Sequence, residues 1–314
     1  STITLNPYPW LDEYSLDDDN GYVYLIFSED VYSASDCSSA VEPADFDIIL
    51  YSNEGGHAID AAITSLSTIN DILLSGGEDT IRATISLSNP PASGVETIVI
   101  RPIDAYSICN SLGNRLSLSD GTVELTLIDR LAPTITAVSI IDPTVVGESL
   151  HGAIEFIASE GMFNNPFGGG AIDKTDFNLA FYQNNGNATD VSIDTVIAIN
   201  PGDLTVGQDT VLISFETERL PSGTEEFAIS PASSSSIFDE NGNPMSHTTV
   251  SERLLLPDKL PPEIIAGSSS ISSGNSYVIF TLTEGVYSVS EITAPVEPND
   301  FAVEFIPNGG NATG

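Results

Sequence analysis

Hydrophobic and polar positions alternate along most of this chain, and the alternation returns at intervals. Val23, Leu25 and Phe27 are interleaved with Tyr22, Tyr24 and Ile26, the pattern of a strand well covered on one face. Ile81, Ala83, Ile85 and Leu87 alternate with Thr80, Arg82, Thr84 and Ser86, and residues 97–101 and 122–127 alternate in the same way. Turn residues punctuate these runs: Asn20-Gly21, Gly76-Gly77, Asn89-Pro90-Pro91 and Gly113-Asn114. Period-two patterning with frequent turn signals predicts strands throughout, and no stretch has the period of an amphipathic helix.

The pattern is an internal repeat. Residues 22–33 come back as residues 277–288, and a weaker copy occupies residues 153–163. Asp45-Phe46 recurs as Asp176-Phe177 and Asp300-Phe301, and Ser93-Gly94 as Ser222-Gly223. Gly94 and Gly223, Gly113 and Gly242, and Asp129 and Asp258 are each 129 residues apart. Boundaries therefore fall after the segments ending in Pro133 and Pro262, whose prolines stiffen the junctions. The expected organisation is residues 1–133, 134–262 and a partial third copy, 263–314. The fold class is all-β: tandem immunoglobulin-like Greek-key β-sandwiches, about seven strands each, in an elongated rod. Half a sandwich leaves an apolar face open. Either the native chain continues, or a neighbouring copy donates the missing strands.

Composition narrows the function. Eight basic residues stand against 45 acidic ones, a formal charge of −37. That excludes nucleic-acid backbone binding as a main role and disfavours anionic membrane surfaces. A hydrophobic content of 41% with clear alternation argues for folding in spite of the charge. Self-repulsion then calls for bound cations or a saline environment, the alternative being a merely acidic, soluble surface. No apolar run reaches the roughly 20 residues needed to cross a bilayer. Lys174 and Lys259 are the only lysines, so residues 1–133 cannot form a Lys–Asn isopeptide bond. Cys37 and Cys109 fall in loops at the same end of the assumed sandwich, where a disulfide suited to an extracellular site and two separate thiols are both compatible with the sequence.

The motifs Ile26-Phe27-Ser28-Glu29, Pro221-Ser222-Gly223-Thr224 and Asp239-Glu240-Asn241-Gly242-Asn243 resemble the bacterial Ig-like repeats of large secreted and cell-surface proteins. The resemblance spans both full repeats and the fragment. Residues 158–160, Ala-Ser-Glu, and residues 110–114, which lack the aspartate, depart from it. It implies a spacer in an adhesin, S-layer, sheath or filament.

Calcium is the most concrete chemistry, because Ca²⁺ takes six to eight oxygen ligands. In the assumed topology the first junction gathers Asp17, Asp18, Asp19, Glu96 and Asp129 with Glu160, Asp239 and Asn243. The second gathers Glu225 and Asp258 facing Glu284. The Asp17-Asp18-Asp19-Asn20-Gly21 run reads equally as a solvated turn, since the EF-hand glutamate is missing. His57, His151 and His247 occupy different repeat positions, so no shared histidine site exists. Asn187 and Asn311 head glycosylation sequons that also read as turns.

The leading expectation is a calcium-stiffened structural segment of an extracellular or cell-surface assembly, not an enzyme, partnered by copies of itself or other surface proteins. A second reading is a glycan- or partner-binding module presenting Trp10, Phe163 and Phe167. A third is the non-catalytic region of a secreted enzyme.

Overall fold

The computed structural model describes residues 8–33, 37–87, 91–199, 204–288, 294–304, 306 and 308–309. The Asn89-Pro90 turn, Phe305 and the Asn311 sequon lie outside the described residues. The fold is all-β, built from antiparallel sheets.

The first half contains β1 (Leu11–Leu16), β2 (Tyr22–Ser33), β3 (Phe46–Tyr51), β4 (Ala61–Ser67), β5 (Glu78–Leu87), β6 (Thr97–Pro102), β7 (Ile108–Cys109) and β8 (Leu125–Thr126). One sheet has the order β1-β2-β5-β4, with β7 pairing the far end of β2, and a second has the order β3-β6-β8. Alternation fixes the faces: Val23 pairs with Ala83 and Leu25 with Ile81, all four buried. Ile98, Ile100 and Phe46 meet them from the second sheet in one cluster. The expected strand at 122–127 is shorter than its pattern, because only Leu125 and Thr126 pair with β6.

The second half repeats this plan with β9 (Ile135–Val146), β10 (Ser149–Met162), β11 (Phe177–Tyr182), β12 (Val191–Ala198), β13 (Gln208–Thr217), β14 (Glu226–Pro231) and β15 (Leu254–Leu255). The sheets run β12-β13-β10-β9 and β11-β14-β15. A separate core gathers Phe156, Phe177, Phe215 and Phe227. Phe156 meets Phe177, and Phe215 meets Phe227, with ring centroids 5.2 Å apart in each pair. The apolar clusters draw on residues 11–127 and 135–256, with residues 129–134 running between them.

Three sequence landmarks acquire physical reasons. The recurring Asp-Phe pair closes a one-turn 3-10 helix, which leads into β3 and β11 in the first two copies, and each aspartate accepts the backbone N–H three residues back: Glu42 to Asp45, Asp173 to Asp176 and Glu297 to Asp300. The hydroxyl of the Ser/Thr-Glu motif clamps the start of its own copy. Ser28, Ser159 and Thr283 accept the N–H of Trp10, Thr134 and Glu263, and each returns its own N–H to that residue's carbonyl. The glutamate that follows sits at a register break, between Ile26 and Val31 in β2 and between Ile157 and Met162 in β10. Such bulges re-aim side chains.

The third copy differs from its pattern. Among its described residues the strands are β16 (Ser270–Ile271) and β17 (Val278–Ile279), paired with each other. None of the described residues from Glu263 onward is buried. Among the described residues no second sheet packs against these strands, and Tyr277, Val278 and Ile279 stand exposed.

Candidate metal centre between the two cores

Asp129 leaves the first half as its last strand ends. Gly94 makes room for it: its φ is +82°, and a Cβ there would lie 3.0 Å from the Asp129 Cβ. Gly223, at φ +80°, stands in the same relation to Asp258. Asp129 Oδ1 accepts the N–H of Leu131 at 2.9 Å, which turns the chain into the second half. There the bulge of β10 presents Glu160, and the 239–243 turn presents Asp239.

One carboxylate oxygen from each of Asp129, Glu160 and Asp239 falls within 4.8 Å of the others. The turn is prepared for the charge. Asp239 Oδ1 accepts the N–H groups of Asn241 and Asn243 at 2.9 and 2.8 Å. The Asn243 amide donates to Asp239 Oδ2 at 2.7 Å and to the Asp129 carbonyl at 3.1 Å, and the Asn241 amide reaches Asp129 Oδ2 at 3.4 Å. Residues from both halves are thereby joined at one place.

Like charges at this spacing repel by roughly 3–4 kcal/mol per pair at an effective dielectric of about 20. Either a proton or a cation must relieve that. Burial, then the charges of Asp239 and Asp129, push the Glu160 carboxyl up to about 7. Burial also raises Asp129, partly offset by the Leu131 N–H. The three carboxylates offer only oxygen, the donor set of Ca²⁺ or Mg²⁺ rather than of zinc or copper. A cleft of about 330 Å³ that includes His57, Ser93 and Leu131 reaches Asp129 and Glu160 from solvent.

A group whose carboxyl is raised on folding stabilises the protein fully below its unfolded value and less as pH rises through the folded one. Metal-free protein should thus lose stability between about pH 4.5 and 7. Discounted for solvent screening at a half-buried position, the Glu160 contribution is about 1–2 kcal/mol. Thermal melts in chelator across this range should show a shallower slope for Glu160→Gln than for the parent; an unchanged slope would mean that Glu160 is not the group responsible.

The other residues expected here have different surroundings. Asp17 Oδ1 accepts the N–H groups of Gly21 and Tyr22 at 2.6 and 3.0 Å and so closes its own turn. The Arg130 guanidinium donates to the Asp18 carbonyl and pairs with the Asp19 carboxylate. Glu96 is fully buried and accepts backbone N–H groups of His57, Ala58 and Ser93 at 2.6, 2.8 and 2.9 Å. Glu225, its counterpart, is likewise fully buried and accepts from Ala188, Ser222 and Thr224 at 2.8, 2.9 and 3.2 Å. Both carboxylates are taken up in stapling loops. Asp258 accepts the Leu260 N–H at 3.0 Å as Asp129 does that of Leu131, while Glu284 is exposed. Among the described residues no second group of three acids comes together. Asn241 was not anticipated, although it stands in the same turn motif as Asp239 and Asn243. Phe163 was expected to be exposed; it is buried, its ring against Gly207 and its backbone paired with Phe238. Trp10 and Phe167 are exposed.

Comparison with protein-family models, with curated proteins and with solved structures finds no match for this chain.

Proposed function

We propose that this chain is a structural segment of an extracellular surface assembly, such as a filament, sheath or long adhesin, in which Ca²⁺ stiffens the junction between tandem Ig-like sandwiches. The observation that carries this reading is the convergence of Asp129, from one half, with Glu160 and Asp239, from the other, on one point. A divalent ion there would be bound only while both halves are folded and correctly set, so it would restrain the angle between them.

Other features support parts of the reading. The strand order β1-β2-β5-β4 facing β3-β6-β8, repeated as β9-β10-β13-β12 facing β11-β14-β15, matches the ABED and CFG sheets of an Ig-type Greek key. The Cys37–Cys109 disulfide suits an oxidising location. Among the described residues no helix is long and apolar enough to cross a membrane. The partners that fit this reading are further copies of the chain or other surface proteins.

The test is elemental analysis of protein purified without chelator, followed by melts with and without Ca²⁺ at fixed ionic strength. A ligand present at about 100 times its Kd adds about 2.7 kcal/mol to the folded state. The expected result is a melting temperature that rises with Ca²⁺ in the parent and not in Glu160→Gln or Asp239→Asn. Absence of bound metal together with unchanged melting would end the calcium reading.

A further inference from the structure

The turn that presents Asp239 to the junction has a twin in the first half, and the twin is built with asparagine. Asn110 and Asp239 are 129 residues apart, the same offset as Gly113 and Gly242. Each is only 1% exposed. Each uses Oδ1 to close its turn. Asp239 accepts the N–H groups of Asn241 and Asn243 at 2.9 and 2.8 Å, and Asn110 accepts those of Leu112 and Asn114 at 3.1 and 2.9 Å. The Asn110 N–H donates to the Asn114 carbonyl at 2.9 Å, as the Asp239 N–H does to that of Asn243 at 3.1 Å. Backbone and burial match. The difference is one atom, an amide nitrogen in place of carboxylate Oδ2, and the two backbone donors assign which end of the Asn110 amide is oxygen.

That nitrogen has a specific partner. Asn110 Nδ2 donates to Glu29 Oε1 at 3.2 Å. Glu29 follows Ser28 as Glu160 follows Ser159, and both glutamates sit half-buried at a bulge. In the first half the bulge glutamate thus meets a donor. In the second it meets two more acids, Asp129 and Asp239. Among the described residues Glu29 belongs to no such group of three. The same end of the first half is also tied covalently: Cys109, next to Asn110, is bonded to Cys37, whereas Phe238 and Gly168 hold the corresponding places in the second half.

We infer that the residue at this turn position decides whether that end of a copy needs a cation. Asparagine gives the bulge glutamate a hydrogen bond from within the copy and adds no charge. Aspartate gives it a like charge and leaves the relief to an ion from solution. The first half is accordingly metal-independent at this end, and Asn110 and Asp239 are positioning residues with opposite outcomes. Naming the ion as Ca²⁺ rests on the reading above; the effect of the turn residue on metal-free protein does not.

The experiment uses the full 314-residue chain, melted in chelator at about pH 8, where carboxylates are ionised, and again with Ca²⁺. Asp239→Asn writes the first half's pair into the second. It removes two close like-charge pairs and loses one amide contact, that from Asn243, so the metal-free second half should melt at least about 3 °C above the parent. A residue that merely held its turn would give a lower melt. Asn110→Asp should lower the first-half transition by at least as much. Glu29→Gln added to it should restore most of that loss, because the carboxylate would again face an amide. Ca²⁺ should raise the second-half transition of the parent and leave that of Asp239→Asn in place. A metal-free Asp239→Asn protein no more stable than the parent, or an Asn110→Asp loss that Glu29→Gln does not restore, would overturn the inference. A parent indifferent to Ca²⁺, with both metal-free shifts present, would uphold it and end the calcium reading alone.

Discussion

Glu225→Ala should cost the second half about 3 kcal/mol, the scale expected when several backbone N–H groups lose a shared charged acceptor. The carboxylate is fully buried and holds N–H groups of Ala188, Ser222 and Thr224. Alanine would leave the buried Ala188 N–H without a partner, at about 1–3 kcal/mol before relaxation, and would remove the acceptor of the more accessible Ser222 and Thr224 N–H groups. Glutamine should rescue little, because its NH₂ would face donors. Glu96→Ala should do the same to the first half. Acid should expose the same dependence. Burial raises both carboxyls, but the backbone N–H groups outweigh it and hold both below the usual range. Groups lowered in this way stabilise the fold above the unfolded carboxyl value, about 4.3, and cease to do so as pH falls through their folded values. Urea melts of Glu225→Ala beside the exposed control Glu252→Ala, expected within about 0.5 kcal/mol of the parent, decide it. A Glu225→Ala protein as stable as that control would show that the staple is dispensable.

Reduction of Cys37–Cys109 should destabilise the first half alone. The bond joins Cα atoms 5.8 Å apart across a sequence separation of 72. On the chain-entropy estimate a loop of that size is worth about 4 kcal/mol. It ties the segment after β2 to β7, where Cys109 is fully buried. Melting with and without reductant should resolve a first-half transition that moves and a second-half transition that does not. Non-reducing peptide mapping should recover one linked pair. Two alkylatable thiols in protein purified without reductant would refute the bond.

How far the sequence carried these conclusions depended on the range of the interaction. Alternation at Val23, Leu25 and Phe27 sufficed for β2, because period two and burial on one face are the same fact. The assumed topology placed Asp129, Glu160 and Asp239 at one junction, since it sets the last strand's end of one unit against two loops of the next. It could not separate them from Glu96 and Glu225, which occupy the same end of each unit. Whether a carboxylate faces outward to an ion or inward to backbone N–H groups depends on side-chain direction within a loop, and composition is silent on that. Asp17, Asp18 and Asp19 were ambiguous for the same reason, and Arg130 and the turn backbone now account for them. Phe163 looked like a loop aromatic because its partner Gly207 lies 44 residues further on. In the third copy, alternation marks residues able to form a sandwich without supplying the opposing sheet.

The Ser/Thr clamp at the head of each copy has a mechanical consequence. The chain enters the first half beside Ser28 and leaves it at Ile128, whose N–H and carbonyl are both held by the Asn20 side chain. Tension along the chain would therefore pull β1 and β2 in opposite directions along their shared axis, so that their perpendicular hydrogen bonds are loaded together rather than opened one by one. A unit strung this way resists extension with its whole β1–β2 ladder at once.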